Sequence, residues 1–373
     1  MRLVEITSYS GREHEIVDHL EQRLRSLGLP AHRQPVPGAA DNLLVVWDEH
    51  PRLLLTAHVD TIEPTWEWNG RAELRGSAVH GLGAQDDKSC VVACLLALLM
   101  ARDEGVPIES LPIGVGFCVD EEVGGKGSSA MARELRPELV VGAEGTELEL
   151  GLAEAGFVEI WFRVAGRSVH GALREEGDNA IEKALDLVGE VQAQPFAEWS
   201  HPLCGRNVPM VWEIGGRAPL NVIPGACDIH VDIRVVPGGP SAAEILATCE
   251  RLAPRHDASV DVVEISEPFE TPASSPLATS LAAAAEAATG RRPAPVGMLA
   301  WTDAHSFVDL AASEAVVFGP GHLRDEHRPD ERVDVDEVVD CARTFCNLIA
   351  RAPALLEGVG REALPARVAE GSS

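Results

Sequence analysis

The chain has 373 residues, 45% of them apolar, and a formal net charge of −28 at pH 7. That length allows two or three domains of about 150 residues each, and the excess of acid argues against nucleic acid or an anionic membrane as partner. The N-terminus has no long apolar core of the kind a secretory signal needs, no apolar run is long enough to span a bilayer, and the eight cysteines include no C-x-x-C, so the expectation is a cytoplasmic protein with free thiols.

Residues 11–27 carry Ile16, Val17, Leu20, Leu24 and Leu27 on one face, the period of an amphipathic helix. Residues 42–47 read as a strand after the Pro37-Gly38 turn. Residues 53–57 are a second strand, apolar on both faces, that runs into His58-Val-Asp60. Residues 80–89, His-Gly-Leu-Gly-Ala-Gln-Asp-Asp-Lys-Ser, form the pivot of the chain. Gly81 and Gly83 permit a tight turn, and Asp86 and Asp87 stand where an apolar helix begins. A carboxylate in so dry a place needs a cation or hydrogen bonds; the plain alternative is helix capping, which Asp favours. Cys90 and Cys94 share that helix and read as core packing.

A strand at 113–119 ends in Asp120-Glu121-Glu122, a helix follows from about residue 128 to 135, and a strand at 139–143 ends in Glu144. Apolar strands alternating with helices predict a parallel sheet covered on both faces, with ligands bound beyond the carboxyl ends of its strands. His58, Glu121, Glu122 and Glu144 all fall there.

From residue 157 the texture changes. Strands of period two at 158–164, 211–214 and 227–234, a last strand at 260–265, and helices at 179–191 and 242–252 make a β-α-β-β-α-β order. This is a ferredoxin-like insert of the α+β class, with 268–276 as the return linker. Residues 280–289 are an alanine-rich helix, 301–312 carry Asp303, His305 and Asp309, 315–318 are a final strand leading to His322 and His327, and 338–350 are a closing helix. The expected divisions are 1–156 with 270–360, an insert at 157–269, and a loose tail at 361–373.

Two histidines and several carboxylates are ligands suited to Zn²⁺, with Co²⁺ or Mn²⁺ as alternatives. Two ions about 3.5–4 Å apart would share one carboxylate. Asp86 is the candidate because it lies between the groups that the flanking strands contribute, and Asp87 is the weaker one. Asp60, two residues from His58, would orient a ligating imidazole, against the plainer reading of a surface pair. Glu121 and Glu122 point apart if the backbone is extended, so one can ligate while the other serves as a base; the plainer reading is an acidic turn.

These segments resemble the M20 family of metallopeptidases and amidohydrolases over about residues 53–337. Thr56-Ala-His58-Val-Asp60 resembles the family's H-x-D, Gly81 to Lys88 its G-x-G-x-x-D-M-K, Asp120-Glu121-Glu122 with Gly124-Gly125 its D-E-E-x-G-G, and Gly142-Ala-Glu144 its E-P-T segment. Gly166 to His170, Asn221-Val-Ile-Pro224, Asp232-Ile-Arg234, Thr302-Asp303-Ala304 and Glu326-His327 to Glu331 are similar to its later motifs. The resemblance implies an α/β, mostly parallel-sheet zinc-peptidase-like catalytic domain with a ferredoxin-like α+β lid/dimerisation insert, and two zinc ions. His58 and Glu144 would hold one ion, Glu122 and His327 the other, with Asp86 between them. It implies Glu121 as general base, Asp60 as partner of His58, and His170 reaching a neighbouring subunit's site. Asn221, Arg234 and Asp303 would bind substrate. Asp87, Gly145, Ser89 and His305 depart from the pattern, and His322 competes with His327. The implied activity is hydrolysis of an N-acyl amino acid by a homodimer. The alternatives are a dipeptidase or carboxypeptidase of the same family and, more remotely, a non-catalytic peptide-binding protein.

Overall fold

A computed structural model describes residues 1–359; the expected tail at 361–373 lies outside them. A nine-stranded sheet forms the larger body. Its middle strands, in spatial order, are Ile113–Cys118, Leu53–His58, Leu139–Gly142 and Glu314–Val317, all parallel. Each is apolar on both faces because both faces are covered. In Leu53–His58, Leu53, Leu55 and Ala57 join the apolar cluster with helices His14–Ser26, Lys88–Asp103 and Val335–Gly358. Leu54 points the other way, into the cluster with Lys126–Leu135 and Asp303–Ala311.

The edges are antiparallel. Asn42–Val46 pairs antiparallel with Ile113–Cys118, where strand–helix alternation predicts a parallel sheet. The six residues between Val46 and Leu53 are too few for a crossover, which takes a dozen or more. Leu150–Glu154, a strand that sequence reading missed, takes Phe269–Glu270 antiparallel and Pro295–Met298 parallel. The expected return linker is therefore partly strand. The closing helix is longer than its periodicity suggests, Val335–Gly358, and continues through Pro353.

Residues 156–266 build a second sheet, ordered Val208–Gly215, Ala226–Val235, Gly156–Ala165, Ala258–Ser266, antiparallel throughout. Helices Ala180–Gln192 and Ala242–Leu252 cover one face around Ile160, Phe162, Leu187 and Ile229. The second helix starts in a capping box between Ser241 and Glu244. All eight cysteines are free and buried. Among the described residues no helix is long and apolar enough to cross a membrane.

Candidate metal centre

Because the middle strands are parallel, their carboxyl ends share one rim. His58 closes Leu53–His58, Asp120-Glu121-Glu122 follow Ile113–Cys118, and Glu144 follows Leu139–Gly142. The helix Lys88–Asp103 begins at the same rim with Asp87 in the capping position. Asp87 makes no side-chain cap; its Oδ2 instead accepts the His58 backbone N–H at 3.0 Å. That decides between capping and the rim for this pair of acids.

Asp86 stands between two histidines. Its Oδ1 lies 2.8 Å from His58 Nε2 and its Oδ2 lies 3.0 Å from His327 Nε2. Glu144 Oε1 is 3.5 Å from the same His58 nitrogen, and Glu122 Oε2 is 2.9 Å from that of His327. Ligand atoms of His58, Asp86 and Glu122 fall within 4.8 Å of one another, and so do those of His58, Asp87 and Glu144. His322, by contrast, uses its Nδ1 to accept the Arg324 backbone N–H and faces Glu147. His327 is therefore the ring that meets Asp86.

Asp60 ties the rim together. Its carboxylate accepts the backbone N–H groups of Glu121 at 3.1 Å and Glu122 at 3.2 Å, and the Ser10 hydroxyl at 2.7 Å. The same carboxylate lies 3.4 Å from His58 Nδ1. The ring's hydrogen bond at Nδ1 is to the Asp60 backbone carbonyl at 3.1 Å, so one buried residue orients the ring through its main chain and the pair of acids through its side chain. The pair is not extended. Asp120 adopts a left-handed φ of 63° and Glu121–Gly124 form one helical turn. The two side chains diverge by the roughly 100° per residue of a helix rather than by pleat alternation.

Burial dominates the electrostatics. It pushes the carboxyls of Glu121 and Glu144 well up, and that of Glu122 up, with neighbouring acids adding to the effect. Burial also pushes Asp86 up, but the His327 and His58 rings outweigh it and hold Asp86 below the usual range. His327, facing Asp86 and Glu122, is pushed up to about 11. Two carboxylates about 4 Å apart repel by about 4 kcal/mol at an effective dielectric of 20. Four acids in one pocket therefore call for cations. Glu122 Oε1 and Asp87 Oδ1 are buried with no hydrogen-bond partner among the described residues, and the donor set of imidazole and carboxylate suits Zn²⁺. The residues fit a divalent pair.

The other predicted residues lie apart from this cluster or under it. His170 is exposed on the insert, where its Nδ1 accepts the Ala172 N–H. Asn221 is exposed close by at φ 63°, its carbonyl accepting the Gly171 N–H at 2.6 Å. Arg234 is half-buried, its Nε 3.1 Å from Asp232 and its guanidinium over the Phe157 ring. Asp303 is 3% exposed, and neither carboxylate oxygen has a hydrogen-bond partner among the described residues; burial pushes it up to about 6. His305 is buried against Glu154, with Nδ1 and Oε1 2.8 Å apart, and the same acid accepts the Thr302 N–H and hydroxyl. Sequence reasoning assigned no role to Ser10, Gln85, Glu154 or Glu331. Gln85 lies within residues 81–88 and Glu331 within residues 326–331, both motif segments, and those positions were the available signal.

Residues 54–351 match the signature of Peptidase family M20/M25/M40. Acetylornithine deacetylase of Myxococcus xanthus is 28% identical over 90% of this chain and 91% of its own length. A probable carboxypeptidase of Aspergillus terreus is 27% identical over 94% of this chain and 84% of its own. The crystal structure of a tripeptidase from Staphylococcus aureus superposes with a TM-score of 0.77 at 18% identity, covering 95% of this chain and 96% of that one.

Proposed function

The chain belongs to peptidase family M20/M25/M40, and from that membership and the rim geometry we propose that it is a two-metal amidohydrolase that cleaves an N-acyl amino acid or a related small amide. The observation that carries this reading is Asp86, each of whose carboxylate oxygens faces a different histidine. His58 and Glu144 would hold one ion, Glu122 and His327 the second, and Asp86 would serve both. Zn²⁺ suits these ligands, as Co²⁺ or Mn²⁺ would. When bound, the ions supply a Lewis acid for the carbonyl and a more acidic water.

Glu121 takes the proton of the attacking water and returns it to the leaving nitrogen. Its raised affinity for a proton, caused first by burial, suits a group that must hold one between two steps. Asp60 keeps Glu121, Glu122 and His58 in register through the contacts above. Arg234, with Asn221, supplies cationic and polar contacts for a substrate carboxylate. Asp303 is too deeply buried to do the same and serves as an acid in the floor, near Cys118 and Ser128. His170 and Asn221 sit together on the exposed insert, the arrangement expected if a second copy of the chain completes the site in a homodimer.

The relatives include a deacetylase and a probable carboxypeptidase at nearly equal identity, so the acyl group is decided by assay. The zinc-loaded enzyme should be tested on acetylated and succinylated amino acids and on dipeptides. Glu121→Gln should lower turnover by about 10²–10⁴-fold with two ions still bound. Turnover near wild type with the metal retained rejects the base. A chain that binds no metal and hydrolyses no amide is instead a peptide-binding protein.

A further inference from the structure

The ligands of the second ion come from very different settings. Glu122 is on a short helix anchored by Asp60, and Asp86 is on a buried turn. His327 is on a loop, at φ +55°, with its side chain 48% exposed. A half-exposed ring on a loop does not hold a ligating orientation through packing. Something else must set the distance between the His327 loop and the Asp86 turn.

Two side chains span that gap. Glu331, four residues after His327, is 2% exposed, and its Oε1 accepts the backbone N–H groups of Gln85 at 3.0 Å and Asp86 at 3.3 Å. Its own carbonyl accepts the Gly81 N–H at 3.0 Å, at the start of the same turn. Gln85 reaches back the other way. Its Nε2 donates to Glu326 Oε1 at 2.7 Å, on the residue before His327, and to the His322 carbonyl at 3.0 Å. The lacing is reciprocal: an acid of the histidine loop holds the aspartate turn, and an amide of the aspartate turn holds the histidine loop.

Glycines make room for it. A Cβ at Gly145, next to Glu144, would come within 2.9 Å of Glu326 Oε1 and 3.1 Å of Gln85 Nε2. A Cβ at Gly321, at φ +80°, would come within 2.4 Å of the Gln85 side chain. Gly145 departs from the proline of the resembling family, and the space that a side chain would need there is taken by the Gln85–Glu326 contact. The segments carrying Asp86, Glu144 and His327 therefore converge on one amide.

We infer that Gln85 and Glu331 are positioning residues that set the affinity of the second metal ion by lacing the His327 loop to the Asp86 turn. The inference rests on the two-metal reading above. Residues that orient metal ligands change metal affinity by about 10–100-fold when removed. Neither residue would contact the ion, and neither hydrogen-bonds the side chains of His58 or Glu144; the larger effect therefore falls on the second ion, which loses the registry of both Asp86 and His327, and the first ion feels only the shift of the shared Asp86.

The test is a calorimetric Zn²⁺ titration of the metal-free full-length chain, with the visible spectrum of the Co²⁺ form as second readout. Wild type should take up two equivalents. Gln85→Met and Glu331→Ala should bind the second equivalent about 10–100-fold more weakly and the first with a clearly smaller loss, with the larger change in absorption for the second Co²⁺. Glu331→Gln keeps an acceptor oxygen and should restore the second site. Circular dichroism of the metal-free variants establishes folding, and if Glu331→Ala fails to fold, Gln85→Met decides. The inference is overturned if a folded variant binds the second equivalent within threefold of wild type, or loses both equivalents alike. Wild type binding no metal overturns the proposed function itself, which distinguishes the two failures.

Discussion

Asp60→Asn is the substitution that most sharply probes how the rim is held. The amide keeps the volume of the carboxylate but offers one acceptor oxygen instead of two. In the native arrangement Oδ1 accepts the Glu121 N–H, while Oδ2 accepts the Glu122 N–H and the Ser10 hydroxyl. Whichever way the amide turns, at least one backbone N–H faces an NH₂ group. Asp60 is 0% exposed, so water does not replace the lost acceptor. A hydrogen bond to a charged group contributes about 1.5–3 kcal/mol, and an orphaned buried donor costs a similar amount. A loss of about 2–3 kcal/mol follows, larger than the few tenths that a surface Asp→Asn change costs. Because the displaced turn carries Glu121, turnover should also fall, by about 10–100-fold if Asp60 acts as an orienting residue. Urea denaturation with Zn²⁺ in excess reads the first quantity and kcat the second. A variant within 0.5 kcal/mol of wild type by that denaturation, with kcat within twofold, would refute the reasoning.

Other consequences can be checked on the same preparation. Burial disfavours a charged His305, but the Glu154 carboxylate more than offsets this and the ring's pKa is raised. A raised folded value means that the pair stabilises fully below the ordinary imidazole pKa of about 6.5 and loses that contribution as pH climbs through the folded value. His305→Gln should cost about 3–5 kcal/mol at pH 6 by leaving Glu154 without its cation, and the difference from wild type should shrink in thermal melts at alkaline pH; a pH-independent difference contradicts the pairing. In Gly319→Ala the new Cβ would lie 2.5 Å from the Glu144 carbonyl oxygen and 2.8 Å from Cys90 Sγ. Overpacking of that kind costs about 1–3 kcal/mol, and denaturation indistinguishable from wild type would show that the rim yields. Removing metal with a chelator should lower stability by about 2.7 kcal/mol per ion relative to a buffer holding it at a hundred times that site's Kd, with recovery on adding Zn²⁺ back; identical melts contradict a native-state metal site.

Most of the rim was legible because its chemistry is local in sequence. His58, Glu121-Glu122 and Glu144 each follow a fully apolar strand, and apolar strands in alternation with helices place their ends together. Short elements carry no such period. Leu150–Glu154 was missed, and with it Glu154, which organises Thr302 and His305 from a strand only five residues long. Of the two conformations the sequence leaves open at Glu121-Glu122, extended or turn, the turn forms, its N–H groups held by Asp60, 61 and 62 residues earlier. Glu331 accepts backbone N–H groups 246 and 245 positions away in sequence, and the Gln85 amide donates to acceptors 241 and 237 positions away, so only the folded chain shows what the two side chains hold together. The antiparallel edge strand followed from the length of a loop, a constraint present in the sequence that alternation alone does not weigh.

The proposed centre requires that Asp86 be shared by two cations. Anomalous scattering from a crystal of the zinc-loaded chain tests this most directly. Two peaks about 3.5–4 Å apart, one on each side of the Asp86 carboxylate and both lost in Asp86→Ala, are the predicted result. A single peak away from Asp86, or none on the rim at saturating zinc, would contradict it.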